Sequence, residues 1–192
     1  MKKTFLISLI LTCSLAMSSP YCLAKEKKAD ILLLISEQNI EGPQRCWWAS
    51  EIDLSTVEAK LAGALIAQGY PVLEPYQIKR VLRKEKAFRR VDISNEESIR
   101  LARLSQADYV VLGKAVASSG ANVPDSNMRS CFANATIKLI RVKDGEIIAY
   151  LDAAGSSAHI DVISGGREAL VEAADALAVK IIDALTQQGG KE

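Results

Sequence analysis

The apolar residues follow two rhythms. Ile31 to Ser36, ILLLIS, is apolar at every position but the last. A strand buried on both faces, as in the middle of a parallel sheet, has that pattern. From Ser55 the rhythm changes. Ser55 with Glu58 forms a capping-box signal, and Val57, Leu61 and Leu65 then recur at a spacing of four, which predicts a helix near 54–68 stopped at Gly69. Tyr70 to Leu73 is a short apolar strand. Pro75 suits the first turn of a second helix with Ile78, Val81 and Leu82 on its inner stripe. Ser94 with Glu97 opens a third helix, through Leu104, and Asp108 leads into the strand Tyr109-Val110-Val111-Leu112-Gly113.

Beyond that strand, Ser118 to Arg129 reads as a loop. Phe132 to Val142 and Glu146 to Ala154 read as strands joined at Lys143-Asp144-Gly145, a strong hairpin signal. Ala169, Ala173, Leu177, Ile181 and Leu185 share one face of a closing helix, which Leu170, Ala174 and Ile182 widen. The order βαβααβ, hairpin, α predicts a single α/β domain over 31–187. Right-handed crossovers give a mixed five-stranded sheet of order 2-1-3-4-5, with strand four antiparallel to strand three. The switch point then lies at the carboxyl ends of strands one and three. The loop with Gln44-Arg45-Cys46-Trp47-Trp48 and the 118–129 loop both border it.

The amino-terminal pattern sets the compartment. Lys2 and Lys3 precede an apolar stretch from Phe5 to Met17, then Pro20 and the small-residue box Cys22-Leu23-Ala24. That is a secretory signal peptide over 1–24, with an uncleaved membrane anchor as the alternative. Residues 25–30 form a mobile leader and 188–192 a tail. Neither Cys13 nor Cys22 follows a lipid-attachment box, which argues against lipoprotein anchoring. The expected location is the periplasm. After cleavage acids exceed bases by one, and a chain so balanced has no electrostatic footprint for nucleic acid. No later apolar run is long enough for a transmembrane helix.

Two cysteines remain, Cys46 and Cys131. A disulfide is the default in an oxidising compartment, a redox pair the alternative. Strand order brings both to one edge of the sheet, where the required Cα separation is attainable. Held under such a bridge, Trp47 and Trp48 either divide between packing and partner contact or both form the loop's private core. His159 is the only histidine, so two-histidine metal sites are excluded. No nucleophile-elbow, zinc-protease or phosphate-loop motif occurs, and no cofactor is implied. Ser164-Gly165-Gly166-Arg167 is either an anion cradle or a plain helix entry. Lys79, Arg80, Arg83, Lys84, Lys86, Arg89 and Arg90 fall within twelve residues. They are a solvated helix face or a dock for an anionic surface.

Gly69-Tyr70-Pro71-Val72 and Ala107-Asp108-Tyr109-Val110-Val111-Leu112-Gly113, in this element order, resemble a periplasmic α/β module. It is shared by the TolB amino-terminal domain, the curli-secretion protein CsgG, the peptidoglycan-synthase activator LpoB and the middle domain of flagellar assembly protein T. The resemblance covers most of the mature chain and rests on strand ends and turns. It implies a non-catalytic adaptor that docks on a larger envelope machine, with a protein partner. The chain departs from several members: it has no lipid-attachment cysteine, a short hairpin and no following propeller. Trp47, Trp48, Lys79, Arg80, Arg83 and Lys84 are the expected partner contacts. A periplasmic protein binding a small ligand in the switch-point crevice is the alternative function, and a periplasmic enzyme a third.

Overall fold

The computed structural model of the protein describes residues 28–40, 55–73, 78, 80, 81 and 93–189. Strand β1 (Ile31–Gln38) runs through the centre of the sheet and is buried at every position but its last. It pairs in parallel with β2 (Val72–Leu73) on one side and with β3 (Tyr109–Asn122) on the other. Strands β4 (Arg129–Arg141) and β5 (Ile147–His159) continue the sheet antiparallel. The order is β2-β1-β3-β4-β5, as the sequence predicts.

Three helices are described in full: α1 (Thr56–Ala67), α2 (Asn95–Leu104) and α3 (Val162–Gly189). The expected stripe of α1, Val57, Leu61 and Leu65, is fully buried. It joins Ile31, Leu33 and Ile35 of β1 and the small residues of β3 and β4 in one core with α3. Ala169, Leu170, Ala173, Ala174, Leu177, Ile181 and Leu185 supply the α3 side. The other face carries a smaller core, where Leu32, Leu34, Val110 and Ile140 meet Leu101, Ala102 and Ile78. Ser55 and Ser94 are both N-caps, but only Ser94 with Glu97 completes a reciprocal capping box. The Ser55 and Ser94 hydroxyls accept from the amides of Glu58 and Glu97, each at 3.1 Å.

The long stretch 118–129 differs from expectation. It is not a loop: β3 continues to Asn122, β4 begins at Arg129, and only 123–128 turn. Serine, glycine and asparagine are poor strand formers, and their density misleads a local reading. Antiparallel pairing overrides it, Ser118 facing Phe132 and Ser119 facing Cys131 before the register shifts toward Asn122. The second hairpin is also longer than expected, thirteen residues per strand. Strands β3 to β5 thus run past the end of β1, which stops opposite Val116. They form a three-stranded wing.

Helix α2 ends on an unusual residue. Gln106 sits at φ 61°, in the left-handed position that glycine normally takes. Its amide donates to Arg103 O, and that of Ala107 to Ala102 O. A Gln106→Gly variant should relieve the side-chain clash and gain about 0.5–1 kcal/mol net of glycine's entropy. Thermal melts of the two proteins check this.

Candidate functional site

The switch point is built where the first turn of α1 meets the end of β1. Ile31 N donates to Pro71 O beside β2, and alternate residues of a parallel strand address the same neighbour. Ile35 N faces that side too, and among the described residues β2 pairs only with Ile31 and Leu32. That donor is taken by Glu58 Oε1 of α1 at 3.0 Å. In return Glu37 Oε2, near the end of β1, accepts from Val57 N in the first turn of α1 at 2.8 Å. Strand and helix exchange backbone donors for carboxylates.

The exchange buries two acids, Glu37 at 3% and Glu58 at 5% exposure. Loss of water around Glu58, helped by the nearby Glu37 charge, outweighs its hydrogen bonds and pushes its carboxyl from 4.5 up to about 7. Both acids are shielded from solvent and tied to backbone amides. Glu58 holds its proton more tightly than a free carboxyl does, and the two side chains together lock helix to strand. The sequence signal for Glu58 was present as a capping-box position. That the carboxyl would turn inward to β1 was not visible, because it depends on how α1 packs beside Ile35, 23 residues away in the chain.

The start of α3 closes the same end of the sheet. Asp161 Oδ2 accepts from Ser164 N at 2.8 Å, and Asp161 O accepts from Gly165 N at 3.0 Å. Two donors of the supposed anion cradle at 164–167 are therefore already used, and the segment is a self-capped helix entry. Gly165 and Gly166 are both buried. A Cβ on Gly165 would stand 2.6 Å from Cys131 Sγ. Asn39 Nδ2 donates to Ile163 O at 3.1 Å and fixes the helix start to the chain leaving β1.

Of the residues expected to contact a partner, Arg80 is helical and exposed, beside Ile78 at 2% exposure. Trp47, Trp48, Lys79, Arg83 and Lys84 lie outside the described residues. Cys131 is a buried free thiol with Sγ 3.8 Å from Val162 O. Its expected partner, Cys46, also lies outside the described residues. Among the described residues no helix is long and apolar enough to cross a membrane.

The surface that sequence reading missed is the wing. Its inner face packs Ala117, Cys131, Ala133 and Ala135 under α3. Its outer face carries Lys114, Ser118, Phe132, Asn134, Thr136, Tyr150 and Ser156, all exposed. Phe132 is 46% and Tyr150 66% exposed. The Phe132 ring lies over Gly120, where a Cβ would meet it at 2.6 Å. Lys138 extends over the Tyr150 ring at 5.8 Å. The outer core shares a cross-strand row with this face, Leu34 and Leu112 lying in line with Lys138 and Tyr150, and Lys138 Nζ donates to Asn95 Oδ1 of α2 at 3.2 Å. Alternation along Phe132 to Lys138 was the available signal, but nothing local tells which face lacks a cover.

No family model matches the chain, and no curated protein matches it. Solved structures do. The LpoB C-terminal domain from Salmonella enterica is 19% identical with a TM-score of 0.40, over 69% of this chain and 87% of that one. Lipoprotein GNA1162 from Neisseria meningitidis is 14% identical with a TM-score of 0.42, over 85% and 99%. The PelC dodecamer from Paraburkholderia phytofirmans is 17% identical with a TM-score of 0.41, over 82% and 89%.

Proposed function

We propose that this protein is a non-catalytic adaptor of the cell envelope that docks on a larger protein through the outer face of its β3–β4–β5 wing. The exposure of Phe132 and Tyr150 on an otherwise small and polar sheet face carries the reading. Aromatic anchors amid small side chains are the composition of a protein contact. The signal-peptide pattern of residues 1–24 supplies the compartment.

The test is site-specific photo-crosslinking in cells that produce the protein. A benzophenone side chain replaces Phe132, Tyr150 or, as control, Val179, which is 60% exposed on α3. One discrete adduct from positions 132 and 150, and none from 179, is expected. Adducts from 179 alone, or none at all, would overturn the reading. A Phe132→Ser, Tyr150→Ser double variant should lower adduct formation from a neighbouring probe at Asn134 about tenfold, matching a hot-spot loss of ~1.4 kcal/mol or more. Its melting temperature should fall only modestly, since Tyr150 is 66% exposed and Phe132, 46% exposed, loses only its packing over Gly120.

A further inference from the structure

A second surface lies at the opposite end of the sheet, where β1 and β3 begin. It is an open concavity of about 1020 Å³. Its floor includes the buried residues Ala107, Val142 and Leu185, and among the described residues its rim carries Lys28, Arg103, Arg141 and Lys143 against one acid, Asp108. These charges are not equally available. Arg141 is spent on Asp144 and Glu146, at 2.9 and 2.7 Å. Asp108 Oδ2 is occupied by the amide of Asp30 at 2.8 Å. Arg103 uses only Nε, which donates to Val142 O at 3.3 Å and leaves both terminal nitrogens uncommitted among the described residues. Lys143 is exposed and makes no ion pair or hydrogen bond with a described residue. Lys28 gives one donor to Gln68 O at 2.6 Å and stands over the Tyr70 ring at 4.4 Å.

The rim therefore offers cations from three separate elements around a mixed floor in which Ala107, Val142 and Leu185 supply the aliphatic surface, and the one carboxylate among its described lining residues accepts a backbone hydrogen bond. Gln106, held in the left-handed conformation, lines the same concavity.

We propose that this concavity binds an extended acidic peptide segment that alternates carboxylates with apolar side chains. The carboxylates meet Arg103, Lys143 and Lys28, and the apolar side chains cover Ala107, Val142 and Leu185. The spread of the cations argues against a single phosphate, which needs convergent donors. The aliphatic part of the floor argues against a polysaccharide, which has no apolar side chain to place there. Its volume, at the top of the range for ligand sites, suits several residues of chain. The surface is separate from the wing, so the inference stands independently of the adaptor reading.

Fluorescence anisotropy tests it with a labelled peptide of glutamates interspersed with leucines, against the same peptide with lysines for glutamates. Vesicles of anionic lipid and an anionic polysaccharide serve as further arms. The glutamate peptide should bind at low salt and weaken as salt rises, since exposed charges are screened over ~8 Å at physiological ionic strength. Binding should fall about tenfold in an Arg103→Gln, Lys143→Glu variant, where glutamine keeps a donor for Val142 O, and stay unchanged in the Phe132→Ser, Tyr150→Ser variant. Equal binding of both peptides, no binding, or indifference to the groove variant would overturn the proposal. So would variant-sensitive binding of vesicles or polysaccharide without the peptide. Failure here with intact crosslinking at 132 and 150 removes the groove and leaves the wing.

Discussion

Replacing Glu58 with glutamine should make this protein more stable at pH 8 and nearly remove one pH dependence. Glu58 titrates near 4.5 unfolded and at about 7 folded. The folded state therefore holds the proton more tightly. Stability from this group is fully present below pH 4.5 and is lost as pH rises through 7. A raise of that size is worth about 3 kcal/mol at pH 8, an order-of-magnitude figure at 1.36 kcal/mol per unit. Glutamine carries no charge and keeps a carbonyl oxygen for Ile35 N, so the Glu58→Gln variant should recover most of that cost. At pH 5 its advantage should shrink to under about 1 kcal/mol. An alanine in the same place separates charge from hydrogen bonding, because it strands a buried donor at a cost of ~1–3 kcal/mol. Denaturant unfolding at pH 5, 6.5 and 8 reads all three proteins. A wild-type curve that does not fall between pH 5 and 8, or a glutamine variant no more stable at pH 8, would refute the buried-acid account.

A Gly155→Val variant should lose about 3 kcal/mol or more. Gly155 lies on β5 opposite Ala133, under the long helix. A Cβ there would strike the Ala169 carbonyl and stand 2.6 Å from Ala173 N, both backbone atoms of α3. Backbone cannot step aside as a side-chain tip can, so the helix must lift off the sheet. Overpacking of this kind costs typically ~1–3 kcal/mol, more where the whole element must shift. Ala169, Ala173 and Leu177 would lose contact together, and for a domain of this size each kcal/mol lowers the melting temperature by roughly 2–4 °C. Valine at the exposed neighbour Ala154 is the control and should be close to neutral. Equal melts for the two variants would show that α3 does not sit against β5 at Gly155.

The sequence by itself determined the elements and their order. ILLLIS has no polar position before its last to turn toward water, so it is an interior strand wherever it lies. Ser55, Ser94 and Gly69 satisfy or end helices through contacts within four residues. The spacing of Val57, Leu61 and Leu65 fixes the inner face of α1 by helical geometry alone. From these, handedness gives the strand order. What only the tertiary structure decided is where distant segments meet. The 118–122 stretch is a strand because Phe132 and Cys131 pair with it, although its own residues favour turns. Glu58 turns inward because the fold sets α1 beside β1, where its carboxyl accepts from Ile35 N. Gly155 matters because α3 returns across β5. Phe132 and Tyr150 are exposed because α2, which covers Val110 and Ile140 and reaches Lys138 through Asn95, stops short of both rings, and Arg103 and Lys143 share one rim because α2 ends beside the β4–β5 turn. Contacts that close over four residues are written locally. A helix-to-strand hydrogen bond, an uncovered face or a pair of meeting rims arises between segments far apart in the chain, and each exists only once the chain has folded.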